Sequence, residues 1–219
     1  MRHNPTTGKI QVLGIAGSLR KGSYNRALLR AARELAPEGM DIHIFDNQTL
    51  SLIPAYNEDV RQQGEPETVE KLKHEISQAD ALLFAIPEYN HSMSGVLKNA
   101  IDWASRPPKE SPLDGKPVGI MGASSGTSGT MRAQMHFRQV CVFTNMLPLN
   151  KPGVLVANAA EKFDAEGRLV DEDSRDYVRL LTEALLDWTR RLYYGGIMVD
   201  IGNQAIPVME SLIEEESLV

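Results

Sequence analysis

The sequence predicts an α/β protein built on a doubly wound parallel sheet, and three observations support this fold class. Short apolar strands alternate along the chain with segments whose apolar residues recur at helical spacing. The most apolar strand, residues 81–86, has no polar alternation, which is typical of a parallel strand covered by helices on both faces. A chain of 219 residues with 42% hydrophobic and 24% charged residues also fits a single compact domain.

Strands and helices alternate in the predicted order of elements. The strands occupy residues 10–16, 41–45, 81–86, 117–122 and 154–157. The helices begin near Tyr24 and Pro66, cover residues 95–104 and 129–143, and close the unit around Tyr177. Residues 50–66 are expected to form a loop, and Pro66 suits the first turn of the helix that follows.

Three segments make up the predicted domain organisation. Residues 1–9 form an N-terminal extension, residues 10–194 the folded domain, and residues 195–219 a C-terminal extension with an acidic end. The periodicity of the C-terminal extension is weak, so we expect either a tail or an arm that packs on a neighbouring molecule.

Composition argues against several classes of partner. The net charge is -6, whereas a nucleic-acid groove needs a concentrated basic face. No apolar stretch approaches the roughly 20 residues of a membrane span. Cys141 is the single cysteine, which excludes an intrachain disulfide and suits a reducing compartment. We therefore expect a cytoplasmic protein without a nucleic-acid or membrane partner, in which Cys141 serves packing.

The loop after the first strand, residues 17–25, has the groups of an anion site. In doubly wound sheets, ligands bind beyond the carboxyl ends of the strands, where the strand order reverses. Free N–H groups at the start of a helix attract anions, and a phosphate monoester suits them. The side chains that add donors or charge are Ser18, Arg20, Ser23 and Asn25. The alternative is that Ser23 only caps the helix and Arg20 is solvated.

The loops after the third and fourth strands suit a flat ring. Residues 87–92 combine an aromatic side chain with an amide, and residues 122–130 are mostly small, so backbone can approach a planar ligand. The alternatives are a tight turn whose Tyr89 covers the edge of the core, and an ordinary flexible Gly/Ser loop. His91 is expected to be a solvated loop residue and not a residue that faces the substrate. Together the three loops predict a ligand with a phosphate at one end and a flat ring at the other, which is the shape of FMN.

Four stretches of the sequence resemble the NADPH-dependent FMN reductase family, which includes quinone, chromate and azo-compound reductases. They cover roughly residues 10–190 and read GIAGSLRKGSYN, IPAYNED, DALLFAIPEYNHSMSGVLKNAIDW and GASSGTSGTMRAQ. The resemblance implies a flavodoxin-like five-stranded parallel sheet in the order 2-1-3-4-5, with helices on both faces. It also implies a homodimer or homotetramer with the flavin near a subunit boundary.

The resemblance further assigns cofactors and binding residues. It implies that the FMN phosphate is held by Ser18, Arg20, Ser23 and Asn25. It implies that the isoalloxazine is lined by Pro87, Glu88, Tyr89 and Asn90, and at its other edge by Ser124, Ser125, Gly126 and Gly129. Because the cofactor carries the chemistry, we expect hydride transfer from NADPH or NADH to flavin N5 and no catalytic side chain or metal. The expected acceptor is a small molecule: a quinone, a free flavin, an azo compound or a metal oxyanion.

Two positions depart from the family pattern. Ser94 stands before Gly95 where the family usually has Pro, and we expect this to loosen the start of the helix that follows. Thr130 stands where many members have a second Gly after Gly129, and we expect a changed pocket shape.

Rival functions remain open at this point. The strongest is a flavodoxin-type electron carrier that binds FMN without NAD(P)H activity. A Rossmann dehydrogenase would use Asp46 at the ribose, but residues 14–17 do not form its glycine fingerprint. A phosphorylated receiver module would need acidic residues after the first strand, where Gly17 and Ser18 lie. A non-catalytic interaction module of the same fold is the last alternative.

Overall fold

The computed structural model describes residues 8–216, with side chains for residues 8–196, 198 and 199. The strands are β1 (Ile10–Ala16), β2 (Met40–Ile44), β3 (Ala81–Ala85), β4 (Glu88–Tyr89), β5 (Ser92–Met93), β6 (Pro117–Ala123), β7 (Leu147–Pro148) and β8 (Val154–Val156). The helices are α1 (Tyr24–Glu34), α2 (Asn47–Ser51), α3 (Glu58–Gln62), α4 (Glu67–Gln78), α5 (Gly95–Ala104), α6 (Met131–Phe143) and α7 (Glu172–Glu216).

The main sheet confirms the predicted fold class and strand order. The order is β2-β1-β3-β6, all these neighbours are parallel, and the fifth position lies beyond β6. Two short strands share that position, because β7 pairs with the start of β6 at Pro117 and β8 pairs with its end at Ala123. Pro152 lies between the two pieces and has no N–H for a ladder hydrogen bond. The fifth position is therefore divided between two short strands: β8 is the strand predicted at residues 154–157, and β7 was not predicted.

Two hydrophobic clusters lie on opposite faces of the sheet. Ala81, Leu83 and Ala85 of β3 belong to the cluster that includes residues of α1 and α7. The intervening Leu82 and Phe84 belong to the cluster that includes residues of α4, α5 and α6. Because alternate side chains of a strand point to opposite faces, this division shows that helices cover both sides of β3.

Several elements differ from the sequence prediction. The expected loop 50–66 contains α3, and α2 begins just before it. Residues 88–93 form a two-stranded antiparallel hairpin, β4–β5. The carboxylate of Asp171 accepts a hydrogen bond from the N–H of Ser174 at the start of α7, which then continues past residue 194 through Glu216. The proposed boundary between residues 194 and 195 stays a prediction, and most of the N-terminal extension and residues 217–219 lie outside the described residues.

No helix within residues 8–216 is long and apolar enough to cross a membrane.

Candidate functional site

The first two loops meet at Gly17, directly after β1. The N–H of Gly17 donates to the carbonyl of Ala85 at the end of β3, at 3.0 Å. A Cβ at Gly17 would lie 2.8 Å from Pro87 Cδ and 3.1 Å from Leu97 Cβ, so a side chain there would collide with the second loop. Only glycine allows this close approach. The predicted convergence of the two loops is therefore a property of the fold.

Ser94 joins the same two loops and corrects one expectation. Its hydroxyl donates to the carbonyl oxygen of Gly17 at 2.6 Å and accepts from the N–H of Leu97 at 3.3 Å. Ser94 is thus the N-cap of α5 and is only 3% exposed. The expectation that Ser94 loosens the start of this helix is wrong, because a capping hydroxyl satisfies a free helix N–H that proline would leave alone.

Asn25 connects α1 to the end of β6. Its amide nitrogen donates to the carbonyl of Ala123 at 2.9 Å, and its amide oxygen accepts from the N–H of Ala123 at 3.0 Å. Both bonds are buried, and the third loop starts at this point of the chain. The Asn25 side chain therefore positions the first loop relative to the third, and one of its two amide hydrogens is already used for this purpose.

The rest of the first loop leaves donors free. Ser18 is 4% exposed, its carbonyl accepts from Asn47 at 3.1 Å, and its hydroxyl has no hydrogen bond within residues 8–216. Ser23 caps α1 by accepting from the N–H of Arg26 at 3.3 Å, as the structural alternative anticipated. Arg20 is exposed, and its guanidinium makes one hydrogen bond among the described residues, to the carbonyl of Gly22 at 3.1 Å. Asn47 was not predicted as a residue of this site, because no motif in the sequence around it indicates a contact with the first loop.

The second loop presents Tyr89 at the tip of the β4–β5 hairpin. Asn90 and His91 form the turn with φ of 49° and 62°, which is the left-handed pair that a type I′ turn requires. Tyr89 is 47% exposed, so it does not cover the edge of the core. The alternative of a tight turn in which Tyr89 only packs on the core is therefore not supported. Asn90 and His91 are exposed beside it.

The side chain of Glu88 faces α6. Its carboxylate accepts from the backbone N–H groups of Arg132 at 3.0 Å and Ala133 at 3.3 Å, and pairs with the Arg132 guanidinium at 2.9 Å. Burial acts to raise the pKa of the Glu88 carboxyl, but these donors outweigh it and the pKa is lowered. Glu88 therefore fixes the hairpin to the positive end of α6, and only its backbone remains available to line a ring.

The third loop combines an exposed tip with a tightly packed end. Ser125 and Gly126 are exposed, and a Cβ at Gly126 would meet nothing closer than Ser124 Oγ at 3.9 Å. By contrast, Gly129 has φ +54°, and a Cβ there would lie 2.6 Å from the carbonyl carbon of Leu155. The packed end needs glycine for its conformation, whereas the small residues at the tip leave room for a ligand.

Thr130 explains the second departure from the family pattern. It adopts φ 72°, is fully buried and precedes α6 as its N-cap residue. A glycine reaches this conformation without strain, whereas a β-branched residue is an outlier there. The Thr130 hydroxyl accepts from the Gln134 amide at 3.1 Å, and this contact lies within the core. The residue changes the packing beneath the loop, and its effect on a bound ligand stays a prediction.

A fourth loop is held by side chains of α5. Trp103 Nε1 and Asn99 Nδ2 both donate to the carbonyl of Pro54 at 2.8 Å. Asn99 Oδ1 accepts from the N–H of Tyr56 at 2.8 Å, and the Tyr56 ring packs edge-on against Trp103 with centroids 5.0 Å apart. Asn99 and Trp103 therefore position the IPAYNED stretch.

Two candidate reactive residues, Cys141 and Asp46, have structural roles. Cys141 is buried, and its burial raises the pKa of the thiol to about 12, so no thiolate forms near neutral pH. Asp46 is the N-cap of α2. Its carboxylate accepts hydrogen bonds from the backbone N–H of Thr49 and, with a smaller effect, from the Thr49 hydroxyl, and these bonds lower the pKa of the Asp46 carboxyl. Within residues 8–216 there is no cluster of His, Cys, Asp and Glu side chains that could hold a metal.

The donor set fits an anionic ligand with a flat extension. The unpaired Ser18 hydroxyl, the Arg20 guanidinium and the N-terminus of α1 belong to the first loop, and Tyr89 and Gly126 belong to neighbouring loops at the same end of the sheet. Such a fold and site define a flavodoxin-like α/β protein that binds a phosphorylated, planar ligand.

Comparison with known proteins identifies the family. The family model described as NADPH-dependent FMN reductase matches residues 10–161. An NAD(P)H-dependent FMN reductase of Pseudomonas aeruginosa is 56% identical over 183 residues, covering 84% of this chain and 97% of that protein. A 2-hydroxy-1,4-benzoquinone reductase of Burkholderia sp is 39% identical over 181 residues, covering 83% of this chain and 97% of that protein. A solved flavoenzyme NAD(P)H:(acceptor) oxidoreductase from Paracoccus denitrificans is 32% identical with a TM-score of 0.75, covering 83% of this chain and 98% of that chain.

This chain belongs to the NADPH-dependent FMN reductase family. It is an oxidoreductase that uses FMN as cofactor and NAD(P)H as electron donor, which confirms the predicted enzyme class and cofactors. Membership in a reductase family favours this function over the electron carrier, the dehydrogenase, the receiver module and the non-catalytic module.

Proposed function

We propose that this enzyme reduces quinones with NAD(P)H, and that the three loops hold its FMN. The acceptor class is supported by the Burkholderia relative, a 2-hydroxy-1,4-benzoquinone reductase, which shares 39% of its residues with this chain. Free flavin, azo compounds and metal oxyanions are the competing acceptors.

The phosphate end of the cofactor is assigned to the first loop. Ser18 carries this assignment, because its residue is only 4% exposed while its hydroxyl has no hydrogen bond among the described side chains, so the group is held in place and free to donate to a ligand. The backbone N–H groups at the start of α1 and the Arg20 guanidinium add charge-assisted donors. Ser23 and Asn25 keep this loop in place through the cap of α1 and the bond to Ala123.

The ring end is assigned to the second and third loops. When bound, FMN supplies the electron-transfer chemistry between NAD(P)H and the acceptor. Pro87, Tyr89 and Asn90 line one side, and the Glu88 side chain holds that hairpin against α6. Ser124, Ser125 and Gly126 line the other side, where backbone N–H groups can donate to a carbonyl edge of the ring. Gly129 sets the path of that loop.

An anaerobic titration tests the function. The purified protein should show flavin absorbance bands that NADPH bleaches quickly and that a quinone such as 2-hydroxy-1,4-benzoquinone restores. Steady-state kcat/KM for the quinone should exceed the values for free flavin, an azo dye and chromate. Bands that persist with NADPH would instead support an electron carrier, and a higher kcat/KM for another acceptor would move the assignment away from quinones.

Replacement of Arg20 tests the phosphate assignment. Arg20→Ala removes one charge-assisted hydrogen bond and should weaken FMN binding by about 1–3 kcal/mol in a fluorescence titration. The matched control is Arg33→Ala, which removes the same charge from the exposed last turn of α1 and should leave FMN affinity unchanged. Equal FMN affinity of the Arg20→Ala variant and the parent would refute the assignment.

We also propose a homo-oligomer, a dimer or tetramer, assembled through α5 and α6. A groove of about 370 Å³ lies between these helices, with Met93, Ile101, Val140 and Phe143 among its lining residues. Val142 and Phe143 at the end of α6 are 83% and 78% exposed. Large apolar side chains this exposed, beside an apolar groove, favour burial against a second copy. The single cysteine and the reducing chemistry favour a cytoplasmic location.

A further inference from the structure

The outward face of α7 bears a regular stripe of residues that the FMN site does not use. One face of the helix packs on the sheet, and its last fully packed side chain is Thr189, which is 4% exposed. On the opposite face, residues follow one another at alternating spacings of three and four. These residues are Tyr177, Leu180, Ala184, Asp187, Arg191, Tyr194 and Met198. Such a spacing, with a period of 3.5, is the pattern of a helix that packs along another helix.

The ends of this stripe are apolar and its centre is charged. Tyr177, Leu180, Tyr194 and Met198 are each more than half exposed, from 51% to 67%. Asp187 and Arg191 are also exposed, and within the described side chains neither has an ion pair or hydrogen bond. The seven residues span about 32 Å along the helix at 1.5 Å per residue. Apart from the ring of Tyr193, whose centroid lies 5.6 Å from that of Tyr194, no partner for the apolar ends or the central charges is found in the described part of the chain.

We propose that this α7 stripe pairs antiparallel with the α7 stripe of a second copy of the chain, about a two-fold axis near residue 189. Such an axis places Asp187 opposite Arg191 of the second copy, twice. It also places Ala184 opposite Tyr194 and Leu180 opposite Met198 of the second copy, so that a small side chain faces a large one. The stripe is complementary to itself in this one register, as an isologous two-fold interface requires.

Charge fixes the direction of the pairing. Parallel helices in register would place Asp187 against Asp187 and Arg191 against Arg191, and like charges across an interface are repulsive. The antiparallel arrangement replaces both repulsions with ion pairs at the centre of the stripe. A single polar layer within an apolar seam is a known way of setting register and orientation.

The length of the helix supports a second copy as the partner. Residues 192–199 continue beyond the last packed side chain, and Gly195 and Gly196 each make an isolated helix less favourable by about 1 kcal/mol. Helices in water are held mainly by packing of an apolar face, so this stretch needs a surface to lie on. In the antiparallel pair it lies along residues 179–186 of the second copy, which the sheet holds in place.

This surface is separate from the α5–α6 face. The α7 side chains belong to the cluster on one face of the sheet, whereas α5 and α6 belong to the cluster on the other. The two surfaces acting together would give a tetramer of two-fold symmetry. The pairing of α7 does not depend on the FMN assignment or on the α5–α6 contact.

Charge reversal followed by charge exchange tests the pairing on the full chain. D187R places one arginine opposite Arg191 in each of the two symmetry-related pairs and should raise the dissociation constant of this contact about 10- to 100-fold. R191D should do the same with aspartates. The double variant D187R/R191D restores both ion pairs and should return to the parent mass in sedimentation velocity. An equimolar mixture of the two single variants should also associate, because its charges are complementary.

The control is Glu70→Arg, the same change of charge on an exposed position of α4, which should leave the mass unaltered. Far-UV circular dichroism and FMN content check that every variant is folded. The proposal is overturned if the parent mass survives D187R, or if the double variant dissociates like the single variants. It is also overturned if the parent chain is a monomer at micromolar concentration.

Discussion

The hydroxyl of Ser94 bonds two different elements, the backbone after β1 and the first turn of α5. Ser94→Ala removes both bonds and leaves the buried Gly17 carbonyl without its donor. We expect the free energy of unfolding to fall by about 1–3 kcal/mol in urea. Ser51→Ala is the control, since the exposed Ser51 hydroxyl bonds only the nearby Gln48 carbonyl, and it should cost less than about 0.5 kcal/mol. Equal losses of unfolding free energy in the two variants would show that the Ser94 hydroxyl does not stabilise the contact between the two elements.

Glu88 makes stability depend on pH in acid. The pKa of its carboxyl is lower in the folded protein than its ordinary value of 4.5, so protonation favours the unfolded chain. Its stabilising effect is complete above pH 4.5 and is lost as the pH falls through the folded-state pKa. Glu88→Gln lacks this titration and should reduce the unfolding free energy by about 1–3 kcal/mol at pH 7.

The difference in unfolding free energy between parent and Glu88→Gln should therefore shrink as the pH falls below 4.5. Urea unfolding at steps between pH 7 and pH 3 measures this difference. Glu70→Gln, at an exposed position of α4, serves as the control and should stay parallel to the parent throughout. A Glu88→Gln difference that is constant with pH would mean that the carboxylate charge is unimportant for the hairpin.

At the scale of elements, two glycines with similar backbone angles separate conformational strain from collision. Gly129 has φ +54° and Gly115 has φ +68°, but a Cβ at Gly115 meets nothing within 4 Å. Gly115→Ala should lower the unfolding free energy by only about 1–2 kcal/mol, because alanine is strained in the left-handed conformation but meets no collision there. Gly129→Ala adds a collision with the Leu155 backbone and should cost at least about 2 kcal/mol more in urea unfolding. Similar losses of unfolding free energy at both positions would show that the backbone at the end of the third loop moves readily to accommodate a Cβ.

Elements with long periodic patterns were predictable, and very short ones were not. Enough apolar residues to show a period are found in the strands β1, β3 and β6 and in the helices α4 to α6. By contrast, β7 has only two residues, too few to show a period, and was not predicted, whereas the three-residue β8 was recovered as the strand at residues 154–157. The turn of the β4–β5 hairpin uses Asn90 and His91 without the usual glycine, which removes the strongest hairpin signal.

The candidate site was predictable in location but not in the direction of each side chain. Strand order alone places the three loops together, and the resemblance named their residues. Whether Asn25 faces a ligand or β6, and whether Glu88 faces a ring or α6, depends on distant neighbours that a single sequence does not reveal. Ser94 could have been found, because a serine before a helix is a common cap.

At the scale of the whole molecule, the α5–α6 face should control assembly. Phe143→Asp places a charge on an exposed apolar position and should raise the dissociation constant of the oligomer at least about tenfold, or 1.4 kcal/mol. Sedimentation velocity measures the change. Val170→Asp, at a position 51% exposed, is the control and should leave the mass unchanged. An unaltered mass for Phe143→Asp would remove this face from the assembly.

The divided fifth strand has a consequence for the behaviour of the protein at high concentration. An uninterrupted edge strand offers a row of free N–H and C=O groups on which another sheet can add, and this is a common route to aggregation. Here the edge beyond β6 consists of strands of two and three residues, and Pro148 and Pro152 have no N–H to offer. The interruption makes that side of the sheet a poor template for another sheet, and we expect that concentrated solutions of the enzyme do not aggregate through this edge.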